Sequence, residues 1–302
     1  MLSNIDQINA NQAQQKDEIV LYPACITHMG GIIEGRIIKR RKIRQFAFED
    51  GWRKNLTRSL SYLINSERKC VPFSLTIGEF DLAGTTDDEG YLKVTIPLNH
   101  LSEGWHTVSV KSKLGLNTQQ CLVLSTQVTS GVITDLDDTI LVSEVTKKLR
   151  LLTNTFLKNP LQRKAVLGAA QVYQQLSLQP HTPIFYLSAT PRQLYHFVEG
   201  FLRHYEFPAG MIITRRLTQD AFGDSLNIKT YKTQKIESIF AALPHMKFKL
   251  MGDDGEHDPD IYHDLQTRFP HQVEGVWIRR IVHSTLKYRA HQDFETLIEP
   301  LS

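Results

Sequence analysis

Gly131-Val132-Ile133-Thr134-Asp135-Leu136-Asp137-Asp138-Thr139 is the stretch that decides the fold. A short apolar run passes directly into three acids, which is how a buried strand ends in a polar loop. The same grammar recurs twice downstream. Pro183-Ile184-Phe185-Tyr186-Leu187 runs into Ser188-Ala189-Thr190-Pro191, and Lys247-Phe248-Lys249-Leu250-Met251 runs into Gly252-Asp253-Asp254. Helical spacing lies between them. Leu194, Phe197, Val198, Phe201 and Leu202 form one face of an amphipathic helix, Ile236, Ile239, Phe240 and Leu243 another, and Leu161 to Leu178 a third helical stretch. Strands alternating with helices predict a parallel sheet covered on both faces.

In such a sheet, ligands bind at the carboxyl ends of the strands. The fold is therefore expected to gather Asp135, Asp137 and Asp138, then Ser188, Thr190 and Pro191, then Asp253, Asp254, Glu256, Asp258 and Asp260, into one acid-rich cleft. Carboxylates this dense repel one another, and an oxygen-rich cluster is what Mg²⁺ requires. Local readings compete with that one. Asp137 and Asp138 suit a turn or a helix cap, Thr190-Pro191 has the form of an N-cap followed by a first-turn proline, and Asp258-Pro259 repeats it. Helix N-termini bind phosphate, which gives the Thr190 cap a possible ligand as well.

Upstream, residues 19–128 read as short strands. Phe73, Leu75 and Ile77 alternate with polar residues, as do Leu92, Val94 and Ile96, with turn residues at Gly84 to Gly90 and Glu103-Gly104. A β-sandwich is predicted there, with a short helix over Leu56 to Ile64 inside it, followed by an α/β domain over residues 129–302. Arg36, Lys39, Arg40, Arg41, Lys42, Arg44, Arg53, Lys54 and Arg58 stand against only Glu49 and Asp50. That stretch reads either as a solvated edge or as a patch for an anionic membrane.

Composition sets the outer bounds. The chain has 302 residues, 22% charged and 41% hydrophobic, with a net charge of +3. That balance fits an ordinary globular protein and gives no sign of a nucleic-acid partner. The three cysteines, Cys25, Cys70 and Cys121, form no paired motif, so neither a disulfide frame nor a zinc site is expected. The polar N-terminus and the lack of a long apolar run point to a cytoplasmic protein.

Asp135-Leu136-Asp137-Asp138-Thr139 resembles the DxDxT nucleophile motif of the haloacid dehalogenase phosphatases. Ser188 matches the hydroxyl of the second motif, Lys232 the cation of the third, and Asp253 with Asp258 the GDxxxxD fourth. More narrowly, Gly131 to Asp135, Thr155-Phe156-Leu157-Lys158-Asn159-Pro160, Phe185 to Pro191 and Gly252 to Tyr262 resemble the actin-patch-associated phosphatidate phosphatases and their bacterial relatives.

The resemblance implies a haloacid-dehalogenase-like domain and attack by Asp135 on phosphorus to give an aspartyl-phosphate; the short interval from Asp135 to Ser188, much of it the Leu161 to Leu178 stretch, argues against a large cap. Asp137 would serve as acid and then base, and Lys232 would stabilise the transition state, with Lys229 and Lys235 as alternatives. Thr139, Ala189 and Thr190 would lie at the substrate, and Mg²⁺ on Asp135, Asp137, Asp253 and Asp258. Phosphatidate is the expected substrate and diacylglycerol the product, with peripheral contact to an anionic membrane. A phosphoprotein, a soluble phosphate ester, or a non-catalytic metal-holding module are the alternatives. His204, His257 and His263 are assigned surface or packing roles, and Ile261 and Tyr262 core positions.

Overall fold

The computed structural model describes residues 17–27, 30–39, 46–63, 67–96, 101–113, 115–142, 157–178, 182–216, 228–283 and 285–298. The chain divides into two compact units, Met1–Gln45 with Ile64–Ser125, and Phe46–Leu63 with Thr126–Ser302. Among the described residues, no helix is long and apolar enough to cross a membrane.

The first unit holds strands β1 (Asp17–Leu21), β2 (Ala24–Ile26), β3 (Gly31–Lys39), β4 (Pro72–Ile77), β5 (Phe80–Thr85), β6 (Tyr91–Ile96), β7 (Gly104–Ser112) and β8 (Gly115–Val123). They form a three-stranded sheet, β1-β3-β6, and a five-stranded sheet, β2-β8-β7-β4-β5. Strict alternation in β4 sends Phe73, Leu75 and Ile77 inward, where they meet Ile33, Ile37, Leu92 and Ile96 from the other sheet. The two sheets thus share one apolar core.

The second unit is built on six parallel strands. These are β9 (Ser130–Asp135), β12 (Ile184–Pro191), β13 (Met211–Arg215), β14 (Lys247–Asp253), β15 (Val273–Arg279) and β16 (His291–Asp293), in the order β13-β12-β9-β14-β15-β16. A small antiparallel ladder, β10 (Leu141–Val142) with β11 (Lys164–Ala165), follows the acidic loop. The helices are α1 (Trp52–Leu63), α2 (Ala169–Ser177), α3 (Tyr195–His204), α4 (Ile228–Ala242) and α5 (Asp258–Arg268).

The central strand β9 is flanked by β12 and β14, and from there the chain winds outward in both directions. The register places Asp135 opposite Leu187 and Thr134 opposite Met251. Asp135, Ser188 and Asp253 therefore reach the same edge of the sheet, at the point where the strand order reverses.

Three expectations change, two of them about helices. The stretch Leu161 to Leu178 is not one helix. A 3-10 turn over Pro160–Gln162 and strand β11 come first, and only Ala169–Ser177 is helical, because Gly168 (φ 79°) breaks the chain direction just before it. The helix expected over Leu56 to Ile64 spans Trp52–Leu63 and belongs to the second unit, not to the β-rich one. The basic patch also dissolves in part. Arg36 is buried and ion-paired with Glu67 at 2.8 Å, and Arg58 is buried and paired with Asp50 at 2.7 Å. Lys39, Arg53 and Lys54 are exposed, and Arg40, Arg41, Lys42 and Arg44 lie outside the described residues.

Asp50 is what fixes α1. Its carboxylate accepts from Arg58, from Lys54 and from the Ala47 amide, and these donors hold its pKa well below the usual carboxylate range. Asn55 reaches the Leu157 carbonyl and Gln162, while Asn159 donates to the Ala47 carbonyl at 2.7 Å and caps the 160–162 turn. Phe46 and Tyr62 then close on Phe197 of α3, with ring centroids 5.2 and 5.6 Å away. Removing one partner of a buried ion pair leaves the other charge uncompensated. Asp50→Ala should therefore lower the unfolding free energy of this unit by about 3–5 kcal/mol in urea titrations; a loss below about 1 kcal/mol, the scale of an exposed pair, would show that the segment is held by its apolar contacts instead.

Candidate active site

Lys232 sits on the second turn of α4 and is only 2% exposed. Its ammonium lies 2.7 Å from Asp135 Oδ1 and 2.7 Å from Asp258 Oδ1, with Glu256 at 3.8 Å. Burial works against the charge, but Asp135 and Asp258 outweigh it and hold the lysine protonated. Lys229 is exposed and Lys235 lies over the Tyr231 ring, so neither takes this position.

The carboxylates are assembled from two strand ends and one helix start. Asp135 closes β9, Asp253 closes β14, and Asp258 opens α5. One ligand oxygen from each lies within 4.8 Å of the others, and all three residues are buried. Asp258 is not the cap of α5. His257 occupies that position, Pro259 follows Asp258 inside the helix, and the Asp258 carboxylate turns to Lys232. Gly252 makes that approach possible: a Cβ there would lie 2.6 Å from Asp258 Oδ2.

The unused valences define what the cluster can hold. Asp253 Oδ1 accepts from the Gly255 amide at 2.6 Å, while Asp253 Oδ2 and Asp135 Oδ2, both shut off from solvent, have no hydrogen-bond partner among the described residues. Burial pushes both carboxyls well above the ordinary range, and neighbouring acids add to it. Two partnerless buried carboxylate oxygens, with a third acid beside them, fit a hard divalent cation with oxygen ligands.

Asp137 is half-buried two residues along. Burial raises its pKa, while the Arg163 guanidinium, Lys232 and a hydrogen bond from Ser188 pull the other way without prevailing. Its side chain is not part of the three-carboxylate group. Asp138 takes φ 61°, a left-handed conformation that turns the loop back on itself, and its carbonyl accepts from Arg279. The buried Thr139 Oγ1 has no partner among the described residues.

Ser188 is buried in the second half of β12, its Oγ accepting from the Thr190 amide at 3.1 Å. Thr190 is buried and Ala189 half-buried beside it. The expected Thr190 cap is not formed. The strand continues through Pro191, which takes the cap position of a 3-10 turn over Arg192–Leu194 before α3 begins at Tyr195.

Two predicted members of the acidic cleft are used elsewhere. Asp254 accepts three backbone amides, from Ile281, Val282 and His283, at 2.6–2.9 Å, and so shapes that loop. Asp260 pairs with Lys287 and Tyr288. His257 occupies the N-cap position of α5 without a side-chain capping bond and His263 stacks on Tyr288, while Ile261 and Tyr262 are core residues. The three cysteines are free thiols.

Sequence reasoning missed several supports. Tyr231 donates to the Ser188 carbonyl at 3.3 Å; Thr134 hydroxyl donates to the Asp135 carbonyl at 2.8 Å and contacts Tyr173 at 2.6 Å; Arg163 is buried where its charge reaches Asp137. Tyr231 stands next to Lys232, and that adjacency was the available signal. Arg163, three residues after the Thr155 to Pro160 segment and just past the 160–162 turn, gave none, because nothing local shows that it will be buried within reach of Asp137.

Comparisons with known proteins bear on the same segment. The family described as phosphatidate phosphatase APP1, catalytic domain, matches residues 130–280. Phosphatidate phosphatase APP1 of Saccharomyces cerevisiae is 28% identical over 164 residues, 54% of this chain and 28% of that protein. An uncharacterized protein of Schizosaccharomyces pombe is 22% identical over 216 residues, 68% of this chain and 35% of its own. The chain thus spans about a third of the length of these relatives. Among solved structures, a carbohydrate acetylesterase from Xanthomonas citri aligns with 93% of this chain and 72% of its own at 9% identity and a TM-score of 0.35, too low to bear on fold or chemistry. With the matched segment running from β9 to just past β15 and enclosing Asp135, Ser188, Lys232, Asp253 and Asp258, the chain belongs to the phosphatidate phosphatase APP1 catalytic-domain family.

Proposed function

We infer that this protein is a Mg²⁺-dependent phosphatidate phosphatase of the haloacid dehalogenase type, its first unit a β-sandwich, acting from the cytoplasm at a membrane face. The observation that carries this reading is the Asp135 carboxylate, with one oxygen tied to Lys232 at 2.7 Å and the other buried and partnerless beside Asp253. Such an oxygen is oriented, desolvated and unspent. A nucleophile needs those properties.

In the first half-reaction, one carboxylate oxygen of Asp135 forms a bond to phosphorus as the bond to the leaving alcohol oxygen breaks. Asp137, whose pKa burial raises, gives its proton to that oxygen and releases diacylglycerol. In the second, Asp137 takes a proton from water, the water oxygen bonds to phosphorus, and the bond to Asp135 breaks to free phosphate. Lys232 balances charge on Asp135 and on the phosphoryl oxygens as they pass through the transition state. Ser188, with Thr139, Ala189 and Thr190, orients the remaining phosphoryl oxygens.

Asp135, Asp253 and the carbonyl of Asp137 would hold Mg²⁺, with Asp258 behind them fixing Lys232. When bound, the ion supplies positive charge that lets a phosphate dianion approach ionised carboxylates.

Phosphate release from detergent-dispersed phosphatidate with Mg²⁺ tests the assignment. Asp135→Asn and Asp137→Asn should each lose on the order of a thousandfold or more in kcat, since removal of a nucleophile or of a proton-transfer group costs at least that scale. Retained turnover in Asp135→Asn would remove the proposed nucleophile; cleavage of an aryl phosphate but not of phosphatidate would keep the chemistry and move the substrate to a phosphoprotein or soluble ester.

Ion dependence has its own signature. Without a cation the raised pKa values of Asp135 and Asp253 mean that the fold binds protons the unfolded chain has released, so stability is present below the ordinary carboxylate pKa and is lost as pH rises. A cation favours the ionised cluster. The gain in Tm on adding Mg²⁺ should therefore grow from pH 5 to pH 8; a gain that is flat or shrinks over that range would place the ion elsewhere.

A further inference from the structure

The tight turn that opens the segment Phe46–Leu63 carries two large aromatic side chains outward. Phe48 is 68% exposed and Trp52 is 56% exposed, and Leu60, two turns further along α1, is 43% exposed. The backbone beneath them is held firmly. The Asp50 amide donates to the Ala47 carbonyl at 3.1 Å, the Ala47 amide donates to Asp50 Oδ2 at 3.1 Å, and Gln162 Nε2 donates to the carbonyls of Phe48 and Asp50 at 2.6 and 2.7 Å. A pinned turn that displays rather than buries its aromatics is organised for contact with something outside this unit.

Charge, chemistry and position together select a lipid surface. Exposed Arg53 lies over the Trp52 ring at 5.2 Å, and exposed Lys54 follows it, already ion-paired with Asp50. The first turn of α1 carries no acid, and Glu49 is the exposed acid of the preceding turn. An aromatic pair with a guanidinium beside it suits the boundary between lipid headgroups and acyl chains.

The position is the decisive observation. Gln162, which holds the Phe48 carbonyl, immediately precedes Arg163, whose charge acts on Asp137. Helix α1 also packs beside the 192–194 turn that follows Ser188 to Pro191. The backbone that carries the displayed aromatics is therefore tied to two segments that border the carboxylate site, the turn before Arg163 and the turn after Ser188 to Pro191.

We propose that Phe48, Trp52 and Arg53, with Leu60 at their edge, form a contact surface for an anionic lipid bilayer, seating the second unit with its cleft open to a phosphate at headgroup depth. This deepens the lipid-phosphatase reading and rests on it for its purpose. Its test does not rest on that reading, because it uses lipids that are not phosphomonoesters.

The full chain is sedimented with phosphatidylcholine vesicles, with and without phosphatidylserine. Wild type should bind the anionic vesicles more tightly, and Phe48→Ser/Trp52→Ser should bind them at least about tenfold more weakly, as expected for losing two interfacial aromatics. The melting temperature should be unchanged, since both side chains are exposed. Arg53→Gln should reduce the preference for anionic over neutral vesicles.

In a Trp105→Phe background, where Trp277 is buried, brominated acyl chains should quench Trp52 fluorescence. Equal vesicle binding by the double variant, absence of wild-type binding, or unquenched Trp52 would overturn the proposal. A dimer that the same double variant disperses, in a chain that ignores vesicles, would overturn it in favour of a second copy on this face. Loss of phosphatidate turnover with vesicle binding intact would instead count against the catalytic reading alone.

Discussion

Everything in the second unit turns on one buried ammonium. Lys232 bridges Asp135 and Asp258, which come from the end of the central strand and the start of α5. Taking an ion out of water costs several kcal/mol, and mutual attraction repays it only when the geometry is good and the remaining valences are filled. Here the lysine is matched by more than one carboxylate, while Asp135 Oδ2 and Asp253 Oδ2 stay unfilled. The folded chain thus gathers an excess of buried carboxyls over the cations that could balance them. That excess is a poor arrangement for stability and a suitable one for holding a cation against a phosphate.

The surrounding structure reads as the means of keeping this arrangement in place. Gly252 has no side chain, so the Asp258 carboxylate can lie against the strand end. Tyr262 donates to the Met251 carbonyl at 3.0 Å and ties α5 to β14. Thr134 and Tyr173 fix the Asp135 carbonyl from beneath the sheet, and Tyr231 fixes the Ser188 carbonyl from α4. The left-handed Asp138 is held by Arg279, which reaches it from the end of β15. Each support comes from a different strand or helix, so the loops at the sheet edge are rigid without being long.

Much of this was legible in the sequence because parallel strands bury both faces and announce themselves as continuous apolar runs. Gly131 to Thr134, Ile184 to Leu187 and Phe248 to Met251 did so, and the polar residues that follow them were thereby placed at one edge. What failed was local. Thr190-Pro191 and Asp258-Pro259 share the same short-range signature, yet neither side chain caps a helix: the strand continues through Pro191, and the Asp258 carboxylate turns to Lys232, a partner that only the tertiary fold brings near. The Leu161 to Leu178 stretch had helical spacing but contains Gly168, whose left-handed conformation ends any helix running through it. Arg36 and Arg58 looked like solvated charges, since nothing in local sequence reveals that Glu67 and Asp50 will meet them in the interior. Asn159 was recognisable as part of a family pattern, but not its work, which is to pin a turn more than a hundred residues earlier in the chain.

The central claim is that phosphorus becomes bonded to Asp135, and the most direct measurement traps that bond. The enzyme would be quenched in acid during phosphatidate turnover, treated with borohydride to reduce any acyl-phosphate to an alcohol, digested and read by mass spectrometry. The account predicts homoserine in place of aspartate at position 135, dependent on substrate and absent from Asp135→Asn. Reduction at another carboxylate, or active turnover with position 135 still aspartate throughout, would contradict it.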